Sequence, residues 1–485
     1  MRLCMPRGSG KTYESRRHRS AGVRVAMTHV PTFADASGGV PVLGHAIQLL
    51  RDPLRFFTSL AAQADLVRIK AGSWRGYVVC HPDLVSKVLL DDRTFDKGGP
   101  LFDKAQDFLG NGLITCPHRD HRRQRRLVQP AFRRDRLRGY GAAMSAHIDT
   151  VTDSWADGQA IVPSAEMYDV SIGIAADALF AVKIDASTIT DLRRSIGVLL
   201  TQGFRQIITP ESLAKVPTPG NRRYTRANAR LREIVQGMID DYRRQGVDHG
   251  DVLSILLTAG EEDKTEILTD DEIYEQVVSI LTASVETTAA ATAWACLLLA
   301  RHPDLQDRVH AEARTALGGR AADWADLPGL KLTGRFVTEV LRLYPPAWAL
   351  TRTATRDTDL AGHRVPAGAP LIYSPYLLHH RDDRFPAPDR FDPDRWLGDD
   401  TSRRPRTDYV PFGAGARKCV GNDFAWNESV LALATIADRW QLSDPTPTAP
   451  LRPTVRMTLT PPPVPLRVHR RPTSKSNGQG GSLAA

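Results

Sequence analysis

A glycine-rich loop near the C-terminus ends in a cysteine whose surroundings suit it to bind a metal. The loop reads Phe412-Gly413-Ala414-Gly415-Ala416-Arg417-Lys418-Cys419-Val420-Gly421, and a helical pattern follows directly. Glycines allow tight turns and close approach of the backbone to a flat ligand. A thiolate at a helix N-terminus beside two cations is stabilised by dipole and charge. A lone cysteine is more often a buried structural thiol, so the assignment depends on the other residues described below.

An acid and an alcohol stand side by side in a long apolar helical stretch that contains Ala283-Ser284-Val285-Glu286-Thr287-Thr288. A carboxylate next to a hydroxyl can relay protons to a reacting group when water links them. Glu286 and Thr287 are therefore candidate catalytic residues. The alternative is that the threonine hydroxyl only bonds the helix carbonyl one turn back.

Glu339 and Arg342 stand three residues apart on a predicted helix, so their side chains share one face. Arg395 follows in the run Phe391-Asp392-Pro393-Asp394-Arg395-Trp396. Glu339 and Arg342 could therefore form an ion pair. A Glu-x-x-Arg pair on a helix is usually solvated. The pair is therefore informative only through its order and distance relative to Cys419.

An arginine-rich helical segment, residues 118–127, places His121 and Arg125 four residues apart on one face. The guanidinium group of arginine suits carboxylates because it can donate two parallel hydrogen bonds. The neighbouring arginines are expected to be solvated cations or an electrostatic docking face for a partner; they are Arg122, Arg123, Arg126, Arg133 and Arg134.

In this order along the chain, these segments resemble the cytochrome P450 family, whose haem-binding signature Phe-x-x-Gly-x-Arg-x-Cys-x-Gly is matched by Phe412, Arg417, Cys419 and Gly421. The resemblance implies heme b, with the Cys419 thiolate as the axial ligand of the iron. It implies that Glu286 and Thr287 deliver protons for dioxygen activation. It also implies that Glu339, Arg342 and Arg395 form a buried ion-paired network with a structural role. The propionate donors that it implies are His121, Arg125, Arg352 and Arg417.

One residue departs from the family pattern. Ser284 stands where the family usually has glycine, which leaves the oxygen geometry open.

The expected substrate is a hydrophobic small molecule, because the segments that could line a pocket are mostly apolar. They are Gly98 to Asn111, Leu199 to Ile208, Ile280 to Thr287, and Ala347 to Leu350. The stretches 94–100, 121–126, 373–376 and 391–396 are similar to bacterial terpene-oxidising P450s. That resemblance implies oxygen insertion from O2 into a C–H bond of a cyclic sesquiterpene or other terpenoid in secondary metabolism. The alternatives are a macrolide, steroid or fatty acid substrate, or a haem-thiolate isomerase or peroxygenase that needs no electron donor.

A mainly α fold with a small β-rich part is predicted to position these groups. Thr269 and Glu272 form a capping box that begins a helix running to about Arg301, long enough to cross a domain. Short β-like runs are predicted at Leu66 to Lys70, Gly76 to Cys80 and Pro370 to Ser374, and a last helix over Asn422 to Trp440. The resemblance implies the cytochrome P450 fold, with haem between the long helix and the cysteine loop. We expect one domain over 27–466, a disordered tail over 467–485, and a basic disordered leader or a mis-called start over 1–26.

Composition narrows the class of protein further. The 485 residues are 42% hydrophobic and 25% charged, which suits a large folded enzyme, and five scattered cysteines favour the cytoplasm over a secreted disulfide framework. The net charge of +9 comes without a nucleic-acid-binding motif, so no nucleic-acid partner is expected. No run reaches the roughly 20 apolar residues of a membrane span. We expect a cytoplasmic monomer.

Electrons are expected from a ferredoxin and a ferredoxin reductase, because no flavin or iron-sulfur domain fits in this chain. His379 and His380 lack further ligands at metal-binding spacing and are expected in a solvated turn.

Overall fold

The structure is a computed structural model, and it describes residues 30–72, 74–207, 209, 216–259, 268–398 and 407–472. The predicted leader, residues 1–26, lies outside the described residues. The α-helices are α1 (Ala46–Arg51), α2 (Pro53–Leu60), α3 (Pro82–Leu90), α4 (Pro100–Leu109), α5 (His118–Val128), α6 (Arg134–Asp153), α7 (Pro163–Ile174), α8 (Ala186–Ile207), α9 (Pro219–Gln245), α10 (Val252–Thr258), α11 (Asp270–Arg301), α12 (Pro303–Leu317), α13 (Lys331–Leu343), α14 (Pro375–His379) and α15 (Asn422–Arg439).

The strands are short. They are β1 (Phe33–Asp35), β2 (Leu66–Ala71), β3 (Trp74–Val79), β4 (Phe95–Asp96), β5 (Ala160–Ile161), β6 (Leu350–Ala354), β7 (Thr358–Leu360), β8 (His363–Val365), β9 (Pro370–Tyr373), β10 (Trp440–Ser443), β11 (Thr454–Val455), β12 (Leu459–Thr460) and β13 (Leu466–Arg470). The predicted mainly α architecture with a small β-rich part is confirmed.

The long helix α11 begins at the predicted capping box. The Thr269 hydroxyl accepts the Glu272 N–H at 3.2 Å, and the Glu272 carboxylate accepts the Thr269 N–H at 2.9 Å. Its apolar residues face every direction because α7, α13 and α15 pack around it. Among the described helices, α11 alone is long and apolar enough to cross a membrane, but 83% of that apolar stretch is buried in the fold. It is a core helix.

The larger sheet has the order β1-β2-β3-β9-β6-β4 and brings distant segments together. β6 pairs antiparallel with β9, so that Arg352 lies opposite Leu371, and β4 pairs with β6, so that Asp96 lies opposite Thr353. This pairing brings the segment near Asp96 beside the strand that carries Arg352.

The predicted tail begins too early. Residues 466–470 form β13, which pairs antiparallel with β10 and with β5. Leu466 and Val468 are buried while Arg467 and His469 are exposed, so the strand alternates in the usual way. The polar composition conceals it because the strand exists only through partners far away in sequence.

Candidate functional site

The cysteine loop has a backbone that only glycine supports readily at two positions. Gly413 and Gly415 have φ values of +67° and +69°, and a Cβ at Gly415 would collide with the Leu89 carbonyl. The Cys419 N–H donates to the Phe412 carbonyl at 2.9 Å, which closes the loop. Gly421 has a negative φ, so the protein backbone does not require a glycine there.

Cys419 differs from the other described cysteines. Cys80, Cys116 and Cys296 are buried, whereas Cys419 retains exposed surface three residues before α15. Desolvation raises the pKa of the Cys419 thiol, and the Gly421 backbone N–H and the Arg125 charge oppose that rise. A metal ion on the sulfur would favour the thiolate over the thiol.

A cluster of cationic side chains lies near Cys419. Arg417 is almost fully buried; its guanidinium donates to the Asp96 carboxylate and to the Cys116 carbonyl, both at 2.8 Å. Its Nε lies 3.6 Å from the Asp92 carboxylate and makes no hydrogen bond. Arg125 donates to the Lys418 carbonyl, which ties α5 to the cysteine loop.

Three further members of this cluster have no carboxylate partner among the described residues. Arg352 is 3% exposed; its guanidinium donates to the Thr351 carbonyl and lies over the rings of Phe102 and Tyr373. Burial and the nearby Arg352 and Arg417 lower the pKa of Lys97 to about 7. Burial, Arg417 and Lys97 lower the pKa of His121 to about 3. Asp92 and Asp96 both face Arg417, so the positive charges of Arg125 and Arg352 have no carboxylate to balance them within the described part of the cluster.

Sequence reasoning missed Lys97. The residue belongs to a stretch that supported the family resemblance, but no spacing rule connects it with Arg352 and Arg417. Only the pairing of β4 with β6 brings it close to them.

The excess positive charge fits the two propionates of haem. Anions of that kind would satisfy the unpaired buried nitrogen of Arg417 and would give the buried guanidinium of Arg352 a carboxylate partner. The exposed Cys419 offers a sulfur ligand for the iron. The residues present therefore fit an iron porphyrin.

The helix α11 is buried on all sides except along one stripe. From Gln276 to Ala300 every residue is buried except Ala283, Ser284 and Thr287, which are partly exposed. Ala283 and Ser284 precede Thr287 by four and three residues, so each of them lies on the helix face that carries Thr287. Ser284 and Thr287 both direct their hydroxyls to carbonyls of the helix itself, at Leu281 (3.1 Å) and Ala283 (2.8 Å).

No hydrogen bond joins Glu286 and Thr287, the predicted catalytic pair, within the described residues. Glu286 is 5% exposed and lies off the stripe, and its two carboxylate oxygens accept hydrogen bonds from Tyr168 at 2.5 Å and Thr458 at 2.7 Å. Sequence reasoning missed both hydroxyls, because Tyr168 is 118 and Thr458 is 172 residues from Glu286.

Glu339, Arg342 and Arg395 are brought together. The Arg342 guanidinium donates to both oxygens of Glu339, at 2.8 and 2.9 Å, and both side chains are fully buried. Arg395 donates to Glu339 at 3.3 Å, and the Trp396 indole N–H donates to the other Glu339 oxygen at 2.9 Å. The Arg342 guanidinium also donates to the His379 carbonyl at 2.9 Å.

The expectation for His379 is wrong. Its side chain is fully buried at the end of α14, and burial lowers its pKa well below the ordinary value. His380 is half-buried beside it. Within the described ranges neither histidine belongs to a group of three or more possible metal ligands. The polar dipeptide conceals a buried position because α14 packs on α2 and α13.

An open basic pocket of about 720 Å³ lies beside the cysteine loop. Its lining includes Arg122, Arg125, Arg126, Arg133 and Ala416. Arg123 points elsewhere and forms an ion pair with Glu272 at 2.6 Å, so it is not a solvated cation.

Aromatic residues from two predicted pocket segments meet. The rings of Phe204 on α8 and Trp348 lie 6.5 Å apart, and Phe57 packs edge-on against Trp348. Ile208, the end of one predicted segment, lies outside the described residues.

Fold and site together define a haem-thiolate protein: a helical body with a core helix that opens along one stripe, and a cysteine loop flanked by unbalanced positive charge. The family model for cytochrome P450 matches residues 36–469. The chain belongs to the cytochrome P450 family and is a monooxygenase that uses heme b with an axial cysteine thiolate.

Three curated relatives come from Streptomyces. Pentalenene oxygenase of Streptomyces avermitilis is 43% identical, covering 93% of this chain and 99% of the relative. Cyclooctat-9-en-7-ol 5-monooxygenase of Streptomyces melanosporofaciens is 45% identical over 85% of this chain and 90% of the relative. Cyclooctatin synthase of the same organism is 43% identical over 88% of this chain and 93% of the relative.

Proposed function

We propose that this P450 inserts one oxygen atom of O2 into a C–H bond of a cyclic terpenoid, in secondary metabolism, with electrons from a ferredoxin. The observation that carries the proposal is the stripe of Ala283, Ser284 and Thr287, the only opening in the buried run of α11 from Gln276 to Ala300. A reacting centre beside that stripe meets small and hydroxyl side chains in otherwise apolar surroundings.

Several residues would hold the haem. Cys419 would bind the iron through its thiolate, with Phe412 and Gly421 against the macrocycle. The propionates would accept hydrogen bonds from His121, Arg125, Arg352 and Arg417. When bound, the haem supplies the activation of dioxygen, and the thiolate promotes O–O cleavage.

The chain's own residues would supply the protons. Thr287 lies on the open stripe and would hold a water or a proton donor there, while Glu286 would take up protons from solvent and pass them toward Thr287. Both residues lie near the middle of α11, where Glu286 is buried and Thr287 is partly exposed.

The terpenoid assignment rests on the pocket and on the relatives. The names of two similar proteins contain pentalenene and cyclooctat-9-en-7-ol, and both compounds are cyclic terpenoids. Phe204 is partly exposed and packs on the buried Trp348, and an apolar aromatic lining of this kind would suit a compact ring system. A rigid cyclic hydrocarbon loses little conformational entropy on binding such a surface.

The electron donor would dock on the basic pocket. Arg122, Arg126 and Arg133 are exposed there, beside the loop that carries Cys419. An acidic ferredoxin would be steered to this face, and its association rate would fall with rising salt. We propose the cytoplasm as the compartment of the reaction, because a soluble ferredoxin and its reductase would supply the electrons there.

The first experiment is the absorption spectrum of the reduced protein with carbon monoxide, for the parent, Cys419→Ser and the control Cys296→Ser. Cys296 is buried in α11. We expect a strongly red-shifted Soret band in the parent and the control, and its loss in Cys419→Ser. A parent band like that of a histidine-ligated haem would contradict the role of Cys419.

The second experiment tests the substrate. We expect cyclic sesquiterpenes or diterpenes to change the iron from low to high spin, and an oxygenated product to form with ferredoxin, reductase and O2. A spin change and product only with a linear fatty acid would contradict the terpenoid assignment. Product formed without any reductant would favour the isomerase or peroxygenase alternative.

A further inference from the structure

The carboxylate of Glu286 is held at both oxygens by neutral hydroxyl groups. Tyr168 donates to one oxygen at 2.5 Å and Thr458 donates to the other at 2.7 Å. Across the described part of the chain, no lysine or arginine forms an ion pair with this carboxylate. Two hydroxyl donors therefore stabilise this buried carboxylate, which is a role that a cation usually has.

Within the described residues, Glu286 bonds Tyr168 and Thr458, and no hydrogen bond joins it to Thr287. Thr287 lies on the partly exposed stripe and donates to the Ala283 carbonyl at 2.8 Å, whereas Glu286 is buried on the side that faces α7. Consecutive helix residues point about 100° apart, and here Glu286 is buried off the stripe while Thr287 lies on it. The position of Glu286 is set by residues outside α11.

The two hydroxyls come from different parts of the fold. Tyr168 belongs to α7, which packs along α11, and burial together with the Glu286 charge raises the pKa of this phenol well above its ordinary value. The phenol therefore keeps its proton and acts as a hydrogen-bond donor. Thr458 belongs to the turn between β11 and β12, which the Arg456 N–H closes by donating to the Thr458 carbonyl at 3.0 Å.

That same turn touches the proposed substrate pocket. The Trp348 indole N–H donates to the Arg456 carbonyl at 2.9 Å. Met457 packs against Gly203 on α8, one residue before Phe204; a Cβ at Gly203 would lie 3.3 Å from the Met457 sulfur. The turn therefore connects residues near Phe204 and Trp348 with the carboxylate of Glu286.

We propose that Tyr168 and Thr458 are positioning residues that hold Glu286 for proton delivery, and that the β11–β12 turn links this hold to the substrate pocket. The inference rests on the proposed role of Glu286. Neither hydroxyl is consumed: protons come from solvent, pass through the carboxylate, and leave both hydroxyls unchanged. Loss of either donor frees the carboxylate and disturbs the timing of proton delivery.

The test measures product and hydrogen peroxide formed per electron pair, with ferredoxin, reductase and a cyclic terpene that gives the spin change. The variants are Tyr168→Phe, Thr458→Val and Glu286→Gln, and Thr458→Ser keeps a hydroxyl. Tyr140→Phe is the matched control, because the buried Tyr140 hydroxyl makes no hydrogen bond within the described residues.

We expect the ratio of product to peroxide to fall about two- to tenfold in Tyr168→Phe and Thr458→Val, the range given by loss of one hydrogen bond. In Glu286→Gln the ratio of product to peroxide should fall by about a hundredfold, as expected for loss of a proton donor. Thr458→Ser and Tyr140→Phe should match the parent. Turnover driven by added hydrogen peroxide, which brings its own protons, should change little in Tyr168→Phe.

A second readout does not depend on turnover. The infrared carboxylate band that disappears in Glu286→Gln should shift in Tyr168→Phe and in Thr458→Val, and remain unshifted in Tyr140→Phe. Parent-like ratios and band positions in both hydroxyl variants, with a low ratio in Glu286→Gln, would overturn this inference alone. A parent-like ratio in Glu286→Gln would overturn the proposed role of Glu286 and the inference with it.

Discussion

The Nε2 atom of His379 accepts a hydrogen bond from the backbone N–H of Val410 at 3.0 Å. Its Nδ1 lies 3.1 Å from the Arg342 carbonyl, so a neutral ring protonated at Nδ1 satisfies both contacts. The lowered pKa of His379 agrees with a neutral ring. A single imidazole thus joins the Glu339 and Arg342 helix to the segment that leads into the cysteine loop.

Replacement of that imidazole should destabilise the protein. His379→Leu leaves the Val410 N–H buried without an acceptor, and we expect a loss of about 1–3 kcal/mol in the free energy of unfolding. Denaturation in urea measures the change. His469→Leu, at a half-exposed side chain on β13, should stay within about 0.5 kcal/mol of the parent. Equal losses in the two variants would contradict the structural role of His379.

Glu339→Gln should lower the free energy of unfolding more than a substitution in an exposed ion pair does. It removes the charge that compensates the fully buried Arg342, for which we expect about 3–5 kcal/mol of destabilisation. The matched control is Glu233→Gln, which breaks a largely exposed pair with Arg230 and should cost less than about 1 kcal/mol. If Glu339→Gln unfolds at the parent's denaturant concentration, the network does not stabilise the fold.

Arg352→Met should weaken haem retention without unfolding the protein. A charge-assisted hydrogen bond to a carboxylate contributes about 1.5–3 kcal/mol, so haem loss should be about ten- to a hundredfold faster. Transfer of haem to apomyoglobin measures that rate. Arg364→Met, which breaks an exposed pair with Asp357, is the control and should leave the rate unchanged. A parent-like rate in Arg352→Met would remove Arg352 from the propionate donors.

Glu428 should make stability depend on pH. Burial on α15 raises its pKa to about 8 from 4.5, and the Ser171 hydroxyl bond at 2.6 Å only partly opposes the rise. Between these values the folded protein keeps a proton that the unfolded chain has released. Stability from this group is therefore full below about pH 4.5 and is lost as the pH rises through about 8.

Glu428→Gln should remove that pH dependence. The variant should gain stability relative to the parent between pH 5 and about pH 8, measured as the difference in unfolding free energy. Parallel profiles for the two proteins would mean that Glu428 titrates near its ordinary pKa in the folded state.

The sequence by itself determined the features that depend on local pattern. The capping box of Thr269 and Glu272 and the apolar periodicity after it suffice to predict α11, because a helix is specified by residues near one another. The signature around Cys419 likewise lies in one continuous segment and supports the family assignment, which the comparisons confirm.

Only the tertiary structure decided the features that join distant segments. The bonds from Tyr168 and Thr458 to Glu286, the position of Lys97 beside Arg352, and the strand at 466–470 all depend on contacts between residues far apart in sequence. His379 shows the same limit, since a polar dipeptide reads as solvated until the packing around it is known. Hydrogen bonding and burial are set by the packed fold, so local composition could identify the reacting groups but not their partners.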